Sequence, residues 1–158
     1  MEGDRVSRRT AAARRPRVSQ GGICVSRSGY SDDGDEWALI RWRGAVNAAI
    51  KGRRGQAFLR EMLAALDALP AKRLAAEELE ADGEVCALGS VGRARGLDMS
   101  AIDPYDHDTV AGKFNIAHAL ACEIMWENDE GGGYWKHETP ESRFARMRTW
   151  IERRLVPT

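Results

Sequence analysis

The chain has 158 residues, of which 43% are hydrophobic, and this suffices for one domain with a single core. The formal net charge is zero, but residues 1–29 contain seven arginines and two acids, so the remainder is acidic by five. An acidic body argues against a protein that coats nucleic acid, and no apolar run approaches the ~18 residues of a membrane span. Three cysteines without CxxC spacing predict reduced thiols and a cytoplasmic location.

Residues 1–29 are predicted to be a disordered basic extension, because they are poor in large apolar side chains and have no period. One interpretation is an arginine-rich arm that binds nucleic acid. The other places the true translation start at Val25, since Gln20-Gly21-Gly22 can be encoded by a purine-rich ribosome-binding sequence. An intact mass beginning at Met1 would refute the second interpretation. Residues 30–158 are predicted to form a single helical domain.

Two amphipathic helices are predicted to follow. Residues 31–36 supply N-cap candidates and first-turn acids for a helix from Glu36 to about Lys51. Its predicted apolar stripe is Leu39, Trp42, Val46 and Ile50, widened by Trp37, Ile40 and Ala49. A linker of residues 52–55 leads to a second helix that runs to Leu69.

The middle of the chain is predicted to contain a short helix rich in small residues. Residues 72–81, KRLAAEELEA, have a helix-forming composition, although a strand is the alternative. After a turn at Asp82-Gly83, residues 85–95 form a helix that another element can approach closely. Gly96 and Leu97 predict a Schellman-type ending.

Three helices complete the prediction. Asp103-Pro104 is a typical helix start, Asn115 breaks that helix, and residues 116–128 form the next one. Thr139-Pro140 then opens the last helix. The fold class is therefore all-α, a bundle of five to six helices without strands.

A protein-binding surface is predicted around the last helix. Tyr134 and Trp135 follow a glycine-rich loop, and the helix carries arginines that include Arg143 and Arg146. Exposed aromatic residues beside arginine are typical of protein interfaces. The alternative is a solvated helix face beside a loop.

A helix-turn-helix is a second hypothesis, for residues 109–124, TVAGKFNIAHALACEI. In that case Asn115, His118 and Ala119 are the DNA-binding candidates. The second helix also carries Glu123, whose carboxylate repels phosphate, so an ordinary packed helix pair explains the pattern better.

Thiol catalysis is a third hypothesis. Cys86 lies at a predicted helix start, where the dipole lowers a thiol pKa, and His118 with Asn128 or Asp129 follows in the order that cysteine hydrolases use. The apolar neighbours of Cys86 favour a core cysteine instead.

A metal site is the last candidate. His118 and Cys122 are spaced i, i+4 on one helix face, and His107, Asp108 or His137 can complete four ligands. Because no close-spaced second pair of ligands accompanies them, the sequence predicts neither a metal nor another cofactor.

Residues 28–155 resemble a set of small uncharacterised proteins encoded by bacteriophages and prophages. The resemblance rests on GYSDDGDEWALIRWRGAV, GQAFLREMLAALDALPAKRL, ELEADGEVCALGSVGRARG and the END…ETPESRFARMRTW ending. It implies an accessory protein in a bacterial cytoplasm, with no activity or catalytic residues to carry over. Small phage proteins of this kind often bind a host protein, and some inhibit defence systems such as CRISPR effectors.

The predicted function is therefore a non-enzymatic protein that binds a host or phage protein. A helix-turn-helix DNA-binding regulator is the first alternative, and a cysteine- or metal-dependent hydrolase is the second. The sequence predicts no membrane association and indicates neither the partner's identity nor the oligomeric state.

Overall fold

The computed structural model describes residues 28, 36–133 and 137–157, and these contain six helices and one two-stranded hairpin. The elements are α1 (Glu36–Lys51), α2 (Arg53–Ala68), β1 (Glu80–Ala81), β2 (Glu84–Val85), α3 (Ala87–Arg95), α4 (His107–Phe114), α5 (His118–Asp129) and α6 (Pro140–Glu152). The predicted all-α class is confirmed. The predicted basic extension, residues 1–29, lies outside the described residues apart from Ser28. Over the described ranges, no helix is long and apolar enough to cross a membrane.

Helix α5 is the centre of the bundle. It packs against α1, α3, α4 and α6, while α2 packs against α1, α3 and α6. A helix that is covered on several sides needs apolar residues around most of its circumference. The buried residues of α5 are Ala119, Leu120, Ala121, Cys122, Ile124, Met125 and Asn128.

The first two helices are joined by Gly52 alone, a shorter linker than predicted. The side chain of Gln56, in the first turn of α2, is buried just past this corner. Its Nε2 donates hydrogen bonds of 2.9 Å to the backbone oxygens of both Ile50 and Arg154. This single amide therefore ties α1 and α2 to the end of the chain.

The prediction of a helix over residues 72–81 is wrong. The chain there runs through bends, Glu77 takes a positive φ of 64°, and β1 and β2 pair antiparallel on either side of Asp82-Gly83. Backbone groups of this segment bond outside it, as when Ala75 N–H donates to Val85 O at 2.9 Å. Helix-forming composition is a weak preference that such tertiary bonds override.

Helix α3 confirms the predicted close approach. A Cβ added at Gly89 would lie 1.9 Å from the carbonyl oxygen of Leu79, so only glycine allows the hairpin to sit this near. The predicted ending is also confirmed: Gly96 has φ 68°, and Leu97 N–H donates to Gly92 O at 2.9 Å.

The predicted starts of α4 and α6 have different outcomes. Helix α4 is capped by Asp106, whose Oδ1 accepts from Thr109 N–H at 3.1 Å, so the start predicted at Asp103-Pro104 is wrong by one turn. The predicted start of α6 is confirmed, because Thr139 Oγ1 accepts from Ser142 N–H at 3.1 Å.

Candidate functional site

Two histidines and a cysteine form a cluster between α4 and α5. His107 is the first residue of α4, His118 is the first residue of α5, and Cys122 lies one helical turn further on. One potential ligand atom from each residue lies within 4.8 Å of the other two. The structure thus brings His107 to the predicted His118 and Cys122 pair, whereas His137 lies on the segment before α6.

Three neighbouring side chains contact the His118 ring, whose side chain is 44% exposed. Its Nδ1 lies 2.8 Å from Oδ1 of Asp108. Its ring meets the rings of His107 and Trp42 edge-on, at centroid distances of 5.8 Å and 6.0 Å. The ring is therefore oriented on three sides, with Nδ1 directed at a carboxylate.

Cys122 lies at the buried side of the cluster and is 1% exposed. Burial raises the pKa of its thiol to about 11, and the Asp108 and Glu123 carboxylates add to the shift. The thiol by itself is therefore protonated at neutral pH and packs as a small apolar side chain.

A second polar cluster joins α6 to the end of α5. Arg146 makes a bidentate ion pair with Glu138, with Nε to Oε1 at 2.7 Å and Nη2 to Oε2 at 2.8 Å, and it also donates to the backbone oxygens of Glu127 and Asn128. Burial raises the pKa of the Glu127 carboxyl, the nearby Glu123 adds to this, and Arg146 opposes it. These contacts fasten two helices together.

Arg143 belongs to the same cluster. It is 9% exposed, its Nη1 donates to Leu74 O at 3.0 Å, and its Nε lies 3.4 Å from Oε2 of Glu138. The expectation that Arg143 faces solvent is therefore wrong. Tyr134 and Trp135, the aromatic half of the predicted binding surface, lie outside the described residues.

The candidates for thiol catalysis do not converge. Cys86 is 1% exposed and caps α3, its Sγ accepting from Gly89 N–H at 3.4 Å. His118 and Asn128 lie at opposite ends of α5, ten residues and therefore about 15 Å apart along the helix axis. One catalytic histidine and asparagine cannot act together on Cys86 from these positions.

The helix-turn-helix candidate has its second helix in the core. Helices α4 and α5 do pack against each other across a short turn, but Ala119 is 8% exposed, and a buried alanine cannot reach a base edge. Asn115 ends α4 in the left-handed conformation, with its Oδ1 bonded to Arg54 at 2.9 Å. Of the three proposed DNA contacts, only Asn115 and His118 are accessible.

The N-terminal half of α1 exposes large apolar side chains. Val46 and Ile50 are buried as predicted, but Trp37, Leu39 and Ile40 are 69%, 49% and 56% exposed. Periodicity alone places these three in or beside the core stripe, so it does not predict their exposure.

The outer face of α1 consists of Trp37, Ile40, Gly44 and Ala48, which are spaced i, i+3, i+7 and i+11 and are all exposed. Ala48 also lines a shallow depression of about 390 Å³ that extends to Arg53 and Leu120. An apolar strip on α1 therefore continues into a concave surface at the α1–α2 corner.

Cations surround this strip. Among the residues described, no ion pair is made by Arg41, Arg43, Lys51 or Arg53. The outer face of α1 is thus apolar at its centre and positive at its edges.

Comparisons with protein-family models, with curated proteins and with solved structures found no match to this chain. The resemblance of residues 28–155 to phage and prophage proteins stays a prediction.

Proposed function

We propose that this protein is a non-enzymatic binding protein that engages an acidic protein surface through the outer face of α1. The observation that carries the proposal is the exposure of Trp37 and Ile40, at 69% and 56%, on adjacent turns of one helix. Exposed apolar patches with a polar rim mark protein interaction sites. Tryptophan is also among the residues that contribute most to binding free energy.

Charge defines the chemistry of the partner. Residues 36–54 contain five cations, Arg41, Arg43, Lys51, Arg53 and Arg54, and a single acid, Glu36. A positive rim favours encounter with a negative surface and disfavours a positive one. The partner is therefore expected to present an apolar pocket bordered by aspartate or glutamate.

This surface differs from the one predicted around α6. Arg146 and Arg143 make internal contacts with Glu138, so their guanidinium groups are occupied in holding the fold. The proposed setting is the one that the phage resemblance implies, namely an accessory protein that acts on a bacterial host protein. Inhibition of a host defence protein is one form of that activity.

The test is binding by variants of the outer face of α1. The tagged full chain, the double variant Trp37→Ser/Ile40→Ser and the control Tyr105→Ser are compared in bacterial lysate with and without nuclease, and the recovered protein is purified and titrated. Tyr105 is 44% exposed and lies outside α1, so its replacement controls for the loss of any exposed aromatic residue. We expect the double variant to bind about 30-fold more weakly, as loss of a hot-spot residue costs about 2 kcal/mol.

Charge reversal provides an independent check. Arg41→Glu/Arg43→Glu is expected to slow association and to reduce its dependence on salt, because rim charges act mainly on the association rate. Equal binding by the wild type and the Trp37→Ser/Ile40→Ser variant would refute the proposed surface. Recovery of nuclease-sensitive material alone would instead favour nucleic-acid binding.

A further inference from the structure

We propose that His107, His118 and Cys122 bind a divalent transition-metal ion, with zinc the expected ion, and that one coordination position faces solvent. The site is separate from the outer face of α1, and the inference does not depend on the proposed partner binding.

The geometry needs little adjustment to hold a metal. Zinc binds histidine nitrogen at ~2.0–2.1 Å and cysteine sulfur at ~2.3 Å, so tetrahedral donors lie roughly 3.3–3.7 Å apart. The three donor atoms here are already within 4.8 Å of one another. His118 and Cys122 are fixed at i, i+4 on one helix, and the partly buried His107 can close the remaining gap by a rotation of its side chain.

The donor chemistry selects the class of ion. Imidazole and thiolate ligands suit zinc and related transition metals, whereas magnesium and calcium require oxygen ligands. Two imidazoles and one thiolate are therefore expected to discriminate strongly against the common oxygen-seeking cations.

Asp108 is an outer partner of the site, meaning that it contacts a metal ligand without binding the metal itself. Its Oδ1 lies 2.8 Å from Nδ1 of His118, so that nitrogen is occupied and Nε2 is the one left for a metal. Metal-binding histidines almost always donate their second nitrogen to a carboxylate or carbonyl, which fixes the tautomer and makes the ring a stronger ligand. A chance contact among two histidines and a cysteine would not need a carboxylate beside one of the rings, whereas a metal site usually has one.

The three proposed ligands differ in their exposure to solvent. Cys122 is buried, His107 is partly buried, and the side chain of His118 is 44% exposed. An ion held there would have sulfur on its inner side and solvent on its outer side. A site with three protein ligands keeps its fourth position for water or for a ligand atom from another molecule.

The experiment uses the full chain, freed of metal with a chelator and kept reduced, and titrated with Co²⁺ as a spectroscopic probe and then with Zn²⁺ in competition. We expect thiolate-to-cobalt charge-transfer absorption together with the visible bands of tetrahedral Co²⁺, and displacement of both by zinc. Loss of an outer partner weakens metal binding by ~10- to 100-fold, so Asp108→Asn should weaken it by an amount in this range. His107→Gln and His118→Gln each remove a metal ligand and should weaken binding by at least as much.

His137→Gln is the matched control, because His137 is exposed and lies outside the cluster. It should retain wild-type affinity, and the urea midpoint of each metal-free variant should show that it is folded. Cys122→Ala should remove the charge-transfer absorption, while Cys86→Ala should leave it unchanged. Absence of a cobalt spectrum from the wild type, or equal affinities for His118→Gln and His137→Gln, would overturn the proposal.

Discussion

The side-chain oxygen of Asn128 accepts a hydrogen bond from the backbone N–H of Ala87 at 3.0 Å, so the end of α5 caps the start of α3. Its Nδ2 donates to the backbone oxygen of Ala75 at 2.9 Å, and the residue is 1% exposed. Asn128 therefore joins three segments that are far apart in the sequence. These hydrogen bonds explain why this polar side chain is buried, and they give Asn128 a structural role.

Asn128→Ala is expected to reduce the free energy of unfolding by about 2–3 kcal/mol, because it leaves a buried N–H and a partly buried carbonyl without this partner. Urea denaturation measures the loss. Asn47→Ala, at an exposed position of α1, is the control and should change stability by less than about 0.5 kcal/mol. Similar effects of the two substitutions would contradict the capping role.

Two glycine-to-alanine substitutions in helices are expected to have opposite signs. A Cβ at Gly89 would lie 1.9 Å from Leu79 O, so Gly89→Ala should destabilise the protein by at least about 2 kcal/mol. A Cβ at Gly44 would have no atom within 4 Å, so Gly44→Ala should stabilise it by about 0.5–1 kcal/mol. Thermal and urea unfolding of both variants test the pair, and a stable Gly89→Ala protein would show that β1 can move away from α3.

Arg146→Ala is expected to cost about 3 kcal/mol, since it leaves the carboxylate of Glu138, whose side chain is 10% exposed, without its bidentate partner. Arg153→Ala, at an exposed position after α6, should have little effect on unfolding. If Arg146→Ala were as stable as Arg153→Ala, the cluster would not be structural, and the role predicted for Arg146 in partner binding would gain support.

Glu61 and Arg95 predict a pH dependence of stability. Arg95 donates to both carboxylate oxygens of Glu61 at 2.7 Å and thereby holds the pKa of Glu61 below its usual value. A carboxyl whose folded pKa is lowered stabilises the protein above its unfolded pKa, and this contribution is lost as pH falls through the folded pKa.

The Glu61 contribution is therefore expected to begin to decline near pH 4.5, the ordinary pKa of the carboxyl, and to be lost as pH falls further through the lower folded pKa. Because the pair is partly exposed, it should amount to no more than about 1 kcal/mol. Unfolding of the wild type and Glu61→Gln between pH 7 and pH 3 measures it: the two curves should separate at neutral pH and converge in acid. A difference that stays constant over this range would refute the assignment.

The helices that could be predicted from the sequence are those whose signals are local. The limits of α1, Glu36–Lys51, follow from first-turn acids, an apolar period and Gly52. The start of α6 follows from Thr139-Pro140, and the end of α3 from Gly96. In each case the hydrogen bonds that begin or end the helix lie within one or two turns of the residues that predict the helix limit.

The features that could not be predicted depend on distant parts of the chain. The conformation of residues 72–79 is set by bonds such as Leu74 N–H to Pro140 O at 3.1 Å, which no local pattern reveals. Trp37 fits an apolar period but is 69% exposed, because a period does not indicate which turns of a helix a neighbouring element covers. The sequence indicates both His107 and His137 as ligand candidates, and only the packing of α4 on α5 selects His107.

The hairpin and α3 are held together by contacts that are short in sequence. Arg93 donates to Gly83 O and to Glu80 Oε1, across 10 and 13 residues, whereas the bond from Ala87 to Asn128 spans 41. Closing a short loop costs less chain entropy, so residues 79–96 are expected to order early in folding and α5 to dock on them later. Gly89→Ala should then slow refolding, while Asn128→Ala should mainly accelerate unfolding in stopped-flow measurements. The small residues of α3 would in that case determine how fast the bundle assembles as well as how closely it packs.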